Sequence, residues 1–290
     1  MSYKEVNDTG IFYIFHKAPI NRDKKAQNRC IVLIHGAGGN HLSMLSIFNY
    51  IKKNFGKTFN ILVPDLPFHF RSLPSAPDFN NNKKNKLNFI MPENDGISFY
   101  AKSINSIAEE LMEKDAKIIL IGHSMGAQVC LKYAALFPEN TEKIMLIAGC
   151  HDTGISDSFI RSLENSFDRT IMLFLKDALG SRDKNILKKA LADIKRTPDT
   201  AVVNDFKYSQ DYGKIRNYKK DVKFINENFK KILFYFVYSE KDLIIKQKCI
   251  QDLSKKIINS VINNIPAKNH IDFLYGNYSM EKEIDKFLLT

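Results

Sequence analysis

The stretch that most constrains this chain is Gly122-His123-Ser124-Met125-Gly126, because of what lies on either side of it. Before it runs Ala116-Lys117-Ile118-Ile119-Leu120-Ile121, a largely apolar segment of strand length. After it, Ala127 to Leu136 has helical spacing and no breaker. A serine at such a strand-to-helix turn is pushed above the sheet edge. Side chains two residues away on either side would collide, so both places call for glycine. The amides after the serine open a helix N-terminus, where negative charge is favoured. A chance Gly-Ser turn would lack this flanking strand and helix.

The same alternation continues along the chain. Apolar runs predict strands at Thr9–His16, Cys30–Ile34, Phe59–Asp65, Glu142–Gly149, Lys231–Tyr238 and Ser260–Ile265. Helical spacing falls at Leu42–Asn54, Ile97–Lys114, Lys246–Ile258 and Ser279–Leu289. Leu66 to Asn94, rich in proline, asparagine and lysine, is expected to form a long surface excursion. Ser156 to Asn228 lacks strand alternation and holds several helical segments. These features predict an α/β fold with a mainly parallel, doubly wound sheet of the eight-stranded type, helices on both faces and a helical insertion. The expected division is a first core part over residues 1–152, a helical cap over 153–229 and a second core part over 230–290. The cap would sit above the carboxyl ends of the strands, where such sheets bind ligands.

Composition narrows the classes. Hydrophobic residues make up 44% and charged residues 26% of 290, ordinary for a globular protein with a sizeable core. No apolar run is long enough to cross a bilayer, and Met1 to Asp8 has no apolar signal core. Cys30, Cys130, Cys150 and Cys249 are scattered without metal-ligand spacing. They are expected to be small buried hydrophobes in a reducing, cytoplasmic compartment. The net charge of +11 is concentrated: residues 182–231 hold 14 basic and 7 acidic residues. A basic cap could attract an anionic substrate or an acidic carrier. The mixed signs instead favour a solvated lysine-rich face, and no nucleic-acid motif accompanies them.

A serine hydroxyl needs a base to take its proton and a third group to orient that base. After Ser124 the chain offers Asp242, which follows a strong strand, and then His270, which follows the last short one. Before it, His35-Gly36-Ala37-Gly38-Gly39-Asn40 follows a buried strand and lacks the lysine of a phosphate-binding loop. Together with Asp65, these motifs make the chain from Thr9 to Leu289 resemble capped serine hydrolases of the α/β-hydrolase fold. The resemblance implies Ser124 as nucleophile, His270 as general base and acid, and Asp242 as its orienting partner. It implies an oxyanion hole built from the Ala37 and Met125 amides. It also implies cleavage of a small or medium, largely apolar ester, thioester or lactone through an acyl-enzyme, with no cofactor or metal. Acyl transfer or cyclisation of a carrier-bound acyl group, and carbon–carbon bond hydrolysis, would use the same residues.

Competing assignments exist. Asp152, after the strand ending near Cys150, is a second candidate acid. Cys150-His151-Asp152 could be read as another nucleophile and base, although adjacent residues of an extended segment point apart. His123 and His35 are expected to pack or to buttress their turns. Many capped members carry D-x-P-G-H-G-x-S after the strand ending at Asp65. Here the stretch reads Asp65-Leu66-Pro67-Phe68-His69-Phe70-Arg71-Ser72, with phenylalanine at both glycine places. A different loop path is therefore expected. Phe68 and Phe70, with Phe159, Phe167 and Phe174 of the cap, are candidates to line an apolar substrate pocket, or else to fill the protein's own core.

Overall fold

A computed structural model describes residues 2–6, 9–19, 28–74, 91–180, 183–214, 217–267, 269–275 and 279–290. Most of the excursion expected between Leu66 and Asn94, from 75 to 90, lies outside the described residues.

Among the described residues eight strands form one continuous sheet: β1 Ser2–Val6, β2 Thr9–His16, β3 Arg29–Ile34, β4 Asn60–Pro64, β6 Lys117–His123, β7 Thr141–Ile147, β8 Leu233–Tyr238 and β9 Ser260–Asn264. Their order across the sheet is β1-β2-β4-β3-β6-β7-β8-β9, and a two-residue β5, Leu73–Pro74, pairs with β2. The first two strands are antiparallel to their neighbours; from β4 through β9 all pairings are parallel. β1 carries no apolar run, so only pairing with β2 marks it as a strand.

The continuous apolar runs are explained by burial on both faces. Cys30, Val32 and Ile34 of β3 point to one side, with Leu62, Leu120, Leu146 and Phe234. Helices α2 (Gly96–Leu111) and α3 (Met125–Leu136) cover that side. Ile31 and Leu33 point to the other, with Ile61, Ile119, Met145 and Val237, beneath α1 (Leu45–Phe55) and the C-terminal helix Glu281–Leu289.

Between β7 and β8 the described residues form five helices: α4 Asp157–Asn165, α5 Phe167–Leu179, α6 Lys184–Ile194, α7 Asp199–Lys214 and α8 Asn217–Asn228. They do not behave as one unit. Ile160, Leu163, Ile171, Leu175, Leu187, Ala190, Val202 and Phe206 make a separate apolar cluster. Tyr208 and Tyr212 of α7, and Tyr218, Val222 and Ile225 of α8, instead join the main core. The apolar partners of the chain thus change within α7.

Two cysteines depart from the expectation of isolated thiols. Cys150 and Cys249, 99 residues apart, form a disulfide with Cα atoms 6.1 Å apart. Cys249 precedes Ile250 on α9 (Gln247–Ser254), and the tertiary fold brings that helix to the end of β7. Cys30 and Cys130 remain free and buried, and burial raises the Cys30 thiol to about 12.

Candidate active site

Ser124 links β6 to α3 and sits at φ 53° and ψ −118°, a strained conformation for a residue with a side chain. Its amide donates to the Ile147 carbonyl at the end of β7, 3.0 Å away. The flanking glycines are sterically required. A Cβ on Gly122 would lie 2.3 Å from the Gly126 carbonyl oxygen, and one on Gly126 would lie 2.4 Å from that of Ile34. A side chain at either place would force the backbone apart, moving the serine.

His270 follows β9 and Asp242 follows β8. His270 Nε2 lies 3.0 Å from Ser124 Oγ, and His270 Nδ1 lies 2.8 Å from Asp242 Oδ2. The other carboxylate oxygen, Asp242 Oδ1, accepts from the amides of Ile244 (2.8 Å) and Ile245 (3.0 Å). Burial alone would raise the Asp242 carboxyl. The facing imidazole and the two amides outweigh it, and the carboxyl is held below its ordinary value. Ser239 Oγ ties the acid loop to the histidine loop by donating to the Ala267 carbonyl at 2.5 Å. The His270 amide donates to the Ala178 carbonyl at the end of α5, so the insert also fixes the imidazole's backbone.

His123 donates from Nε2 to the His270 carbonyl at 2.9 Å. Its Nδ1 is buried without a partner among the described residues. Burial, then the neighbouring His270, pushes its imidazole down to about 3, so it buttresses the site as a neutral ring.

The glycine turn after β3 closes on itself through a Gly39 amide to Gly36 carbonyl bond of 3.0 Å. His35 braces it, donating from Nδ1 to the Gly36 carbonyl and accepting at Nε2 from the Leu66 amide. A Cβ at Gly36 would sit 3.1 Å from that of Ser124, a tight contact that glycine avoids. Ala37 and Met125 both line the cavity over Ser124. The site thus holds a hydroxyl facing an imidazole and a carboxylate behind that ring, in a cavity that Ala37 and Met125 help to line. Such a set can activate an oxygen nucleophile.

A family model of the alpha/beta hydrolase fold matches residues 29–276. The chain is an alpha/beta hydrolase. It is similar to a serine hydrolase-like protein of Danio rerio, 32% identical over an alignment of 109 positions that covers 35% of this chain and 30% of that protein. The hydrolase therefore spans about a third of that relative's length. Among solved structures it is similar to an esterase from Exiguobacterium antarcticum, with TM-score 0.76, 12% identity and coverage of 100% and 99% of the two chains. It is likewise similar to an enol-lactonase from Burkholderia xenovorans, with TM-score 0.73, 17% identity and coverage of 99% and 100%. At these identities the two structures speak for the fold.

The cavity above Ser124 in this hydrolase is about 70 Å³ and almost wholly apolar. Phe174 and Phe206 line it with Ile155, Ile194, Ile244 and Ile271. Of the five phenylalanines singled out in the sequence, Phe174 alone is in this lining. Phe159 instead borders a larger outer groove of about 900 Å³, which shares Thr153, Ile155, Phe174 and Ile244 with the inner cavity. Phe167 lies beneath the Lys195 ammonium, 4.7 Å away. Phe68 is buried against Phe99, and Phe70 stacks on His41. Phe206 and the isoleucines were not legible as lining, because their segments carry only the ordinary apolar pattern of packed helices and loops.

The other assignments resolve locally. Asp152 accepts from the Gly154 amide at 2.8 Å in its own loop, while Asp242 is the carboxylate against His270. Cys150, His151 and Cys249 are the group among the described residues with ligand atoms close enough to hold a metal, but both sulfurs are joined in the disulfide. No described helix is long and apolar enough to cross a membrane.

Proposed function

We propose that this hydrolase cleaves short-chain, apolar carboxylic esters through an acyl-enzyme on Ser124. The reading is carried by the continuous contact from Ser124 Oγ to His270 to Asp242, set at the floor of a small apolar cavity. Ser124 Oγ attacks the ester carbonyl carbon while His270 Nε2 takes its proton. The carbonyl oxygen becomes an oxyanion facing the amides of Ala37 and Met125. The carbon–oxygen bond to the alcohol then breaks, and His270 returns the proton to the leaving oxygen. Water enters by the same steps in reverse and releases the acid. Asp242 keeps Nδ1 protonated, so that Nε2 is the basic nitrogen.

A cavity of about 70 Å³ is only a few times what a single water needs. It favours acyl groups of a few carbons, with the alcohol in the outer groove. The insert acts as the cap in this reading through α5, α6 and α7, which supply Phe174, Ile194 and Phe206 to the chamber wall.

The test is a chain-length series of p-nitrophenyl esters with wild type and Ser124→Ala. Turnover should be greatest for acetyl to butyryl and fall steeply by octanoyl. Ser124→Ala should lose both turnover and labelling by a fluorophosphonate probe. Labelling that persists in Ser124→Ala would place the nucleophile elsewhere, and a preference for octanoyl would reject the small-chamber reading.

A further inference from the structure

The turn that carries Ala37 has more than its own Gly39–Gly36 bond and the His35 brace to hold it. It is gripped from the insert. Asp205 on α7 is fully buried, and its Oδ2 accepts from the Gly38 amide at 2.7 Å. The same oxygen faces His69 Nε2 at 2.7 Å, and Oδ1 accepts from the Tyr100 hydroxyl at 2.6 Å. His69 donates its other N–H, on Nδ1, to the Pro67 carbonyl at 3.0 Å. Both ring nitrogens are thus donors, as in an imidazolium. Two weaker ties run alongside: Asn40 Nδ2 donates to the Asp193 carbonyl at 3.1 Å, and Thr197 Oγ1 to the Gly39 carbonyl at 3.5 Å.

A carboxylate with no exposure is costly unless every oxygen is satisfied and a positive charge is near. Here both conditions are met, and one of the three donors belongs to the backbone of the turn. A bond from an amide to a charged acceptor is about twice as strong as a neutral one. It fixes the peptide between Ala37 and Gly38, next to the Ala37 amide. Gly38 is at φ +66°, where this single residue could otherwise let the turn swivel. A Cβ on Gly38 would meet Val202 at 3.1 Å, so α7 also packs hard against the turn's outer side.

We propose that Asp205 is a positioning residue of the active site: from the insert, it sets the glycine turn so that the Ala37 amide faces the oxyanion. The inference rests on the serine-hydrolase reading above. Its distinct content is that the acyl-transfer geometry is complete only with α7 seated on the turn.

The test compares Asp205→Asn and Asp205→Ala with wild type, and with Gln128→Ala as a control. Gln128 on α3 ties the insert to the core by donating to the carbonyls of His151 (2.9 Å) and Ser209 (3.1 Å), without touching the turn. Each protein is assayed well below its melting temperature with p-nitrophenyl acetate and a fluorophosphonate probe. In the probe reaction Ser124 Oγ bonds to phosphorus, fluoride leaves, His270 takes the proton, and the phosphoryl oxygen occupies the oxyanion position.

Asp205→Ala should lower kcat and the labelling rate about a hundredfold, the scale expected for a displaced oxyanion donor, with KM within threefold. Asp205→Asn keeps an acceptor of the same shape for Gly38 and should fall in between. Gln128→Ala should melt earlier yet keep kcat within twofold. A folded Asp205→Asn or Asp205→Ala with wild-type kcat and labelling rate overturns the proposal. So does failure of both to fold, which would make Asp205 a stability residue only. If wild type and Ser124→Ala label alike, the serine-hydrolase reading itself has failed. If wild type labels at Ser124 and the Asp205 variants label as fast, only the positioning role has.

Discussion

His123 shows how a single residue can serve the site by staying uncharged. Its ring occupies the space under His270, donating to that residue's carbonyl, and burial keeps it neutral down to about pH 3. The unfolded chain takes up the proton near the ordinary imidazole value of 6.5. Between these values the unfolded state binds more protons, so the contribution of His123 makes the fold less stable as pH falls through that window. His69 acts in the opposite sense. Burial would lower it, but the Asp205 charge and hydrogen bond raise it overall, so its contribution is fully present below 6.5 and is lost as pH rises through the raised value. Asp242, held below the usual 3.8, contributes above that value and loses its contribution only in stronger acid. His123→Gln should therefore show a shallower decline of urea midpoint between pH 6.5 and 4 than wild type. Parallel declines would mean that His123 titrates normally in the fold. In the sequence His123 could be read only as a neighbour of the serine. Its neutrality comes from burial first and then from His270, 147 positions away.

The turn from Asp65 to Ser72 departs from its sequence expectation in an informative way. With phenylalanine in place of both glycines, a different path was expected, yet Phe68 and Phe70 sit at φ 68° and 41°, the left-handed region that glycine would occupy. Side-chain bonds enforce this. Ser72 Oγ accepts from the Phe12 amide and donates to the Asp65 carbonyl, while Asp65 Oδ1 accepts from the His41 amide. The Ser72 amide closes onto the His69 carbonyl at 2.7 Å. Left-handed backbone costs a non-glycine residue about 1–2 kcal/mol. Phe68 is buried, and losing a buried phenylalanine costs about 3–5 kcal/mol. Phe68→Gly should thus destabilise by about 1–4 kcal/mol. Phe70 is half-buried between His41 and the Arg196 guanidinium, so Phe70→Gly should fall within about 1 kcal/mol of wild type. Denaturant melts of the two variants check this, and equal losses would refute the strain argument. The sequence carried the missing glycines but not the bonds that replace their freedom. Strands β3, β6, β7 and β8, by contrast, were legible because burial on both faces leaves unbroken apolar runs.

At the scale of the molecule, the sheet brings Ser124, Asp242 and His270 together from three separate loops, and their order along the chain was enough to expect it. Asp205 and the disulfide were not legible in this way. Each depends on where the insert lands, and its helical spacing says only that it has an apolar side. The Cys150–Cys249 bridge joins the start of the insert to α9, closing a long covalent ring. Closing a loop of this length contributes about 4–5 kcal/mol in the chain-entropy view. Cys249→Ala, or wild type in excess dithiothreitol, should lose a stability of that order in urea melts, and no loss would mean that the bridge is dispensable. The ring encloses α4 to α8, β8 and Asp242. A protease that nicks an exposed connection of the insert would therefore not release a fragment. The nicked enzyme would run as one species on a non-reducing gel and separate into pieces only after a thiol is added.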